Sequence, residues 1–108
     1  MRKILITGSN GLLGQKLVYR LRNRKDVECI ATARGENRLI EKQGYVFRSM
    51  DITDRSQVGS VLSSELPDVI IHTAAMTNVD ACELDRENCR KMNVDAVQYL
   101  VETLEELK

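Results

Sequence analysis

Residues 3–14 of this 108-residue chain read Lys3-Ile4-Leu5-Ile6-Thr7-Gly8-Ser9-Asn10-Gly11-Leu12-Leu13-Gly14. The uninterrupted apolar run from Ile4 to Ile6 is typical of a strand that is buried on both faces of a parallel sheet. Beyond the glycines, Leu13, Leu17 and Leu21 recur at the spacing of one helix face. The sequence therefore predicts a strand, a glycine-rich turn and a helix in direct succession.

The three glycines of this turn match the physical requirements of a dinucleotide-binding site. Gly8 permits the tight turn, Gly11 lets the backbone approach a pyrophosphate, and Gly14 lets the helix lie close to the strand. The N–H groups at the start of the helix, for which Asn10 is the candidate N-cap, would then face the phosphates. The spacing G-x-x-G-x-x-G differs from the G-x-G-x-x-G fingerprint, and an ordinary glycine-rich turn is the alternative. We expect nucleotide binding, and we include Asn10 among the cofactor-binding residues.

The balanced composition argues against several classes of partner and site. Sixteen basic side chains are matched by sixteen acidic ones, which favours neither nucleic acid nor an anionic membrane as a partner. The three cysteines form no C-x-x-C pair, so neither a disulfide framework nor a metal site is expected. Without a signal-peptide pattern or an apolar run long enough to span a bilayer, we expect a single cytoplasmic domain.

An arginine follows the predicted second strand, Val27 to Ala33, at the position that contacts the adenosine ribose in dinucleotide-binding folds. A carboxylate there would bind the ribose hydroxyls of NAD, whereas an arginine can pair with the 2′-phosphate of NADP. The sequence offers Arg34, with Arg38 four residues later, and no carboxylate directly at the strand end. The sequence therefore favours NADP over NAD, with an exposed loop arginine that binds no ligand as the alternative.

The rest of the chain alternates predicted strands and helices. Strands are expected at Tyr45–Met50 and Val69–His72, and helices at about Gly11–Asn23, at Leu39–Gln43, after a cap at Thr53 or Asp54, and at Asp85–Leu107. The apolar faces of the last two helices are Val58, Val61, Leu62 and Leu66, and Met92, Ala96, Val97, Leu100, Val101 and Leu104. This alternation predicts an α/β fold, a Rossmann-type doubly wound parallel sheet with strand order 3-2-1-4.

Two polar residues at the predicted strand ends admit more than one interpretation. Asp51 follows the third strand and is either a helix-capping residue or a hydrogen-bond acceptor beside an adenine pocket. His72, at the end of the fourth strand, is expected to be a packed, hydrogen-bonded strand residue rather than a catalytic one. The small residues after it, Thr73 to Thr77, would let a cofactor approach the carboxyl end of the sheet.

Four motifs together resemble the extended short-chain dehydrogenase/reductase family, and within it the dTDP-4-dehydrorhamnose reductase branch. They are Thr7-Gly8-Ser9-Asn10-Gly11-Leu12-Leu13-Gly14, Asp51-Ile52-Thr53-Asp54, Pro67-Asp68-Val69-Ile70-Ile71-His72-Thr73-Ala74-Ala75 and Thr77-Asn78-Val79-Asp80. The resemblance implies phosphate contacts from Gly8, Gly11, Leu12, Leu13 and Gly14. It also implies adenine contacts from Asp51 and Ile52, contacts to the nicotinamide-side ribose from Ala74, Ala75 and Met76, and support of the active site by Asn93.

This resemblance implies NADPH-dependent reduction of a 4-keto nucleotide sugar, as in dTDP-L-rhamnose synthesis. The family's Tyr-x-x-x-Lys pair is missing, because Tyr19, Tyr45 and Tyr99 are followed four residues later by Asn23, Ser49 and Thr103. We therefore expect residues 1–108 to be the NAD(P)-binding part of such an enzyme, truncated before its catalytic and substrate-binding segments and inactive alone.

Two other functions remain open at this point. The chain could be a non-catalytic NADP-binding regulatory subunit similar to the β subunit of methionine adenosyltransferase, or an inactive nucleotide-binding fragment. Truncation would also leave the fourth strand without a neighbour, so that the isolated chain is expected either to be less stable than the full domain or to pair across that edge as a homo-oligomer.

Overall fold

The computed structural model describes residues 1–73, 86–90 and 94–107. Its strands are β1 (Arg2–Thr7), β2 (Val27–Ala33), β3 (Val46–Ser49) and β4 (Val69–His72), and its helices are α1 (Leu12–Leu21), α2 (Arg55–Glu65), α3 (Arg86–Arg90) and α4 (Ala96–Leu107). The strands pair in parallel in the order β3-β2-β1-β4. The predicted fold class and strand order are confirmed.

Helices cover both faces of this sheet because successive residues of its two central strands point to opposite sides. Leu5 of β1 and Ile30 of β2 lie in one core cluster with side chains from α2 and α4. Ile6 and Ala31 lie in a second cluster with Val18 of α1, and all five of these side chains are fully buried. The two clusters account for the doubly wound arrangement.

Helix α2 is capped by Asp54, one of the two residues predicted to cap it. The Asp54 carboxylate accepts hydrogen bonds from the N–H groups of Ser56 and Gln57. Three of the four predicted core residues are buried, namely Val58, Val61 and Leu62. The prediction for Leu66 is wrong, because this residue ends the helix in the left-handed conformation at φ 51° and is 58% exposed.

The helix predicted over Leu39–Gln43 is absent, and residues 34–45 instead form a loop held by tyrosine hydroxyls. The Tyr19 hydroxyl accepts hydrogen bonds from the N–H groups of Ile40 (3.0 Å) and Glu41 (3.4 Å). The Tyr45 hydroxyl donates to the carbonyl of Glu41. These side-chain partners satisfy backbone groups of a loop that has no helix or strand to pair them.

Helix α4 is rotated relative to the predicted apolar face. Ala96, Leu100 and Thr103 are buried against the core, whereas the side chains of Val97 and Val101 are exposed. Ala96 and Leu100 pack in the core cluster with α2, and the guanidinium of Arg55 on α2 lies 2.7 Å from the carboxylate of Glu102 in an exposed ion pair between the two helices. The predicted burial of Val97 and Val101 is therefore wrong.

Within the described residues, β3 and β4 are the edge strands of the sheet. The expectation that the chain self-associates across the β4 edge stays a prediction. Each helix in this part of the chain is too short or too polar to span a membrane.

Candidate functional site

The turn after β1 brings the first helix into direct contact with the strand backbone. Gly8 has a positive φ of 68°, and its carbonyl accepts a hydrogen bond from the Gly11 N–H at 3.0 Å. The Ser9 N–H donates to the carbonyl of Thr32 at 2.9 Å, which ties the turn to β2. A Cβ atom added at Gly14 would lie 2.1 Å from the Gly8 oxygen. Only glycine fits at Gly14, which agrees with the close helix–strand packing predicted for it.

The N-terminus of α1 lacks the side-chain cap that the sequence predicts. Its N-cap residue is Gly11, and no side-chain hydrogen bond caps this end of the helix. The prediction that Asn10 caps the helix is wrong, because the Asn10 side chain is turned toward a neighbouring loop. As in any helix, the N–H groups of the first turn have no intrahelical partner, and here no side chain caps them. Gly11, Leu12 and Leu13 are exposed at this end of the helix. By contrast, α2 has the Asp54 carboxylate at the corresponding position.

Residues 34–38, here termed the arginine loop, lie beside this turn. The side chain of Asn10 joins the two, donating to the Glu36 carbonyl at 2.9 Å and accepting from the Arg38 N–H at 2.8 Å. Arg34 follows β2 directly, as predicted, and its side chain is 85% exposed. Its Nε atom lies 3.8 Å from Oδ2 of Asp51. A carboxylate remote in the sequence therefore stands beside the arginine, which the sequence alone did not indicate.

Asp51 and Ile52 follow β3 at the same edge of the sheet. The Asp51 carboxylate accepts hydrogen bonds from the N–H (2.9 Å) and hydroxyl (2.6 Å) of Thr53. Partial burial by itself would raise the pKa of Asp51, but the Thr53 hydrogen bonds and the Arg34 charge outweigh burial and hold that pKa below its ordinary value. Ile52 is 6% exposed and packs in the core, next to Asp51 in the chain.

The Thr53 hydroxyl provides a direct test of this arrangement. We expect Thr53→Val, which keeps the N–H and deletes the hydroxyl, to raise the pKa of Asp51, as followed by the carboxyl NMR signal during an acid titration. Because the folded-state pKa is lowered, the stabilisation is complete above the ordinary aspartate pKa of about 3.9 and is lost as the pH falls through the folded-state value. Thr53→Ser is the control that restores the hydroxyl, and an unchanged Asp51 pKa in Thr53→Val would contradict the assignment.

Two threonines join β1 to β4 where the two strands end. The Thr7 hydroxyl and Nδ1 of His72 are hydrogen-bonded at 2.7 Å. The Thr73 N–H donates to the same hydroxyl at 3.0 Å, and the Thr73 hydroxyl donates to the Thr7 carbonyl. His72 is thus the hydrogen-bonded strand residue that the sequence predicts. The contribution of the two threonines was not predicted, because their contact is formed between residues 66 positions apart.

The remaining predicted site residues lie outside the described residues. They are Ala74, Ala75, Met76 and Asn93. The described site therefore consists of the glycine turn, the uncapped start of α1, the arginine loop and Asp51 with Ile52.

An open cleft of about 970 Å³ lies at the opposite, amino edge of the sheet. Its lining includes Arg2, Asp26, Pro67 and Asp68. Because open parallel sheets bind ligands outside the carboxyl ends of their strands, we place the candidate site at the glycine turn and not in this cleft.

Almost the whole length of this chain is similar in sequence to parts of known proteins. The chain is 36% identical over 102 residues to dTDP-4-dehydrorhamnose reductase of Aggregatibacter actinomycetemcomitans, a match that covers 94% of this chain and 30% of that protein. It is 32% identical over 99 residues to methionine adenosyltransferase 2 subunit beta of Danio rerio, covering 92% of this chain and 28% of that protein. The chain thus spans less than a third of the length of either relative.

Structural similarity extends over the same region. The crystal structure of a hypothetical dTDP-4-dehydrorhamnose reductase from Sulfolobus tokodaii superposes with a TM-score of 0.80 at 36% identity, covering 99% of this chain and 36% of that one. The family described as RmlD substrate binding domain matches residues 1–108, the whole of the sequence. The glycine turn, the strand order and this full-length match lead to one conclusion, that the chain belongs to the RmlD substrate binding domain family.

Proposed function

We propose that this chain is the cofactor-binding part of an NADP-dependent reductase that acts on a nucleotide sugar. The observation that carries the proposal is the start of α1, where a glycine turn and an uncapped helix N-terminus leave backbone N–H groups available to an anion. The similarity to dTDP-4-dehydrorhamnose reductase supports the 4-keto group of a dTDP-linked sugar, on the route to dTDP-L-rhamnose, as the substrate class.

The described residues fit a dinucleotide by their chemistry. The first-turn N–H groups at Leu12, Leu13 and Gly14 would hold the pyrophosphate, with Gly8 and Gly11 keeping the approach open. The exposed Arg34 guanidinium would pair with a ribose 2′-phosphate, and the Asp51 carboxylate would accept a hydrogen bond from the adenine amine. When bound, the nicotinamide supplies a hydride. Ala74, Ala75 and Met76 stay proposed contacts to its ribose.

The chain's own share of the reaction is binding and orientation. No tyrosine in these 108 residues is followed four positions later by lysine, so the proton transfer to a carbonyl oxygen has no Tyr-x-x-x-Lys pair here. We therefore propose that residues 1–108 form the NAD(P)-binding Rossmann part and turn nothing over alone, with catalytic and substrate-binding groups supplied by further segments.

Arg34 decides between the two dinucleotides in this proposal. We expect the protein to bind NADPH more tightly than NADH, and Arg34→Ala to weaken NADPH binding by about ten- to a hundredfold while changing NADH binding little, because a charge-assisted bond to phosphate is lost. Isothermal titration calorimetry with both dinucleotides measures this. Arg20→Ala is the matched control, since Arg20 is an exposed arginine in the last turn of α1, at the opposite end of that helix from the glycine turn. Equal affinities of the unmodified protein for NADPH and NADH would remove the role assigned to Arg34.

A second candidate function is supported by the similarity to methionine adenosyltransferase 2 subunit beta. In this alternative the protein binds NADP as a non-catalytic regulatory subunit. The complete gene product distinguishes the two candidates when it is mixed with NADPH and a dTDP-4-keto-6-deoxy sugar. Oxidation of NADPH that depends on the sugar indicates the reductase, whereas tight binding of NADPH without turnover indicates the regulatory subunit.

A further inference from the structure

The side-chain amide of Asn10 spans the gap between the glycine turn and the arginine loop. Its Nδ2 atom donates to the Glu36 carbonyl at 2.9 Å, and its Oδ1 atom accepts from the Arg38 N–H at 2.8 Å. Both partners are backbone groups, and they flank Asn37. The side-chain amide of Asn10 thus donates one hydrogen bond to the loop backbone and accepts one from it, as the backbone of a neighbouring strand would do.

The backbone of Asn10 is held equally firmly on the other side. Asn10 lies within the turn closed by the hydrogen bond from the Gly11 N–H to the Gly8 carbonyl. Its own carbonyl accepts a hydrogen bond from Nε2 of Gln15, one turn into α1, at 2.7 Å. The position of Asn10 is therefore fixed by the same backbone that surrounds the start of α1.

Other contacts hold the arginine loop at Arg34, through the ion pair with Asp51, and at Asn37, whose carbonyl and Oδ1 accept hydrogen bonds from Lys42 and Leu39. Asn10 supplies the hydrogen bonds to the backbone of Glu36 and Arg38 between and beside these points. Residues 34–38 belong to no helix or strand, and Gly35 has a positive φ of 80°. The Asn37 side chain donates from Nδ2 to the Tyr45 hydroxyl at 3.1 Å. Without the two bonds from Asn10, this segment would be more flexible before a ligand binds. Ordering it on binding would then cost conformational entropy, and the affinity for the ligand would fall.

We propose that Asn10 is a positioning residue that holds the arginine loop at a fixed distance from the phosphate-binding turn and thereby sets the preference for a dinucleotide carrying a 2′-phosphate. This inference rests on the proposed function, in which the turn and Arg34 bind two different phosphates of one ligand. Asn10 acts through the loop, because both polar atoms of its side chain are engaged by Glu36 and Arg38.

The test combines a readout without ligand and a readout with ligand. In the protein without cofactor, Asn10→Ala is expected to speed the exchange of the Arg38 amide hydrogen by roughly tenfold, because the acceptor of that N–H is removed. In calorimetry, the same variant is expected to lose roughly tenfold in affinity for NADPH and clearly less for NADH. Hydrogen exchange followed by NMR gives the exchange rate of the Arg38 amide, and calorimetric titration of the same samples gives the two affinities.

Two further variants separate positioning from a general loss of structure. Asn23→Ala deletes the same amide from an exposed asparagine beyond α1 and is expected to change neither readout. Asn10→Asp keeps the acceptor for the Arg38 N–H and is expected to preserve slow exchange of that amide even if Asn10→Ala folds poorly.

The outcomes distinguish this inference from the proposed function. An unmodified protein that binds neither dinucleotide overturns the proposed function and this inference with it. An unmodified protein that prefers NADPH, together with an Asn10→Ala variant that keeps the same preference or the same Arg38 exchange, overturns the role of Asn10 alone.

Discussion

Gly14→Ala is expected to destabilise the fold by about 3 kcal/mol or more, the upper part of the range for overpacked sites. A Cβ atom at this position would lie 2.1 Å from the Gly8 oxygen, 2.8 Å from the Gly8 carbonyl carbon and 2.9 Å from Cα of Ser9. All three are backbone atoms, which cannot rotate away as a side chain can. Helix α1 would have to move off β1, so that the midpoint of urea denaturation falls and the phosphate-binding turn is displaced.

Gly59→Ala is the matched control for this substitution. Gly59 lies inside α2, and a Cβ atom there meets nothing within 4 Å. Alanine is the better helix former, so this variant is expected to gain about 0.5–1 kcal/mol. A Gly14→Ala protein as stable as the unmodified chain would show that the close helix–strand contact is not a requirement of the fold.

Leu39→Ala is expected to cost about 2–5 kcal/mol, the range for large-to-small substitutions in a packed core. Leu39 is 1% exposed and packs in the second core cluster with Ile6 and Val18, although it lies in a loop. It is the buried anchor of the segment that follows the arginine loop. Its loss should therefore loosen residues 34–45 as well as lower the denaturation midpoint.

The neighbouring residue supplies the control. Ile40 is 89% exposed, and Ile40→Ala is expected to stay within about 0.5 kcal/mol of the unmodified protein. Both variants are compared by urea denaturation with two-state analysis. Similar losses at both positions would mean that burial of Leu39 does not hold the loop.

Arg34 illustrates how far local sequence reasoning reaches at the candidate site. Its position was predicted from the end of the second strand, which the sequence places at Val27–Ala33 and the structure confirms with the same limits. Its carboxylate neighbour Asp51 was not, because the end of β3 reaches Arg34 only through the pairing of the two strands. The charges that would surround a bound phosphate therefore depend on the tertiary structure and not on the local sequence alone.

Helix α4 shows the same division in the core. Its apolar spacing predicted an amphipathic helix, which the structure contains over Ala96–Leu107. Its rotation follows its packing against the sheet and α2, which buries Ala96 and Leu100. On the exposed side of this contact, the Arg55 guanidinium pairs with Glu102 and lies 5.5 Å from the centre of the Tyr99 ring. Thr103 is buried as well, while its hydroxyl donates to the Tyr99 carbonyl within the same helix.

The sequence by itself determined the elements whose signals are local, namely the glycine turn after β1, the limits of β2 and β4, and the position of the α2 cap to within Thr53 or Asp54. It also determined the strand order, which follows from alternating strands and helices. Only the tertiary structure decided the partners of Asn10, the loop in place of a helix at residues 39–43 and the pairing of Arg34 with Asp51. The physical reason is the same in each case. Propensity, capping and hydrophobic spacing act between residues close in the chain, whereas these side chains are placed by hydrogen bonds and charges that exist only once the sheet has brought distant segments together.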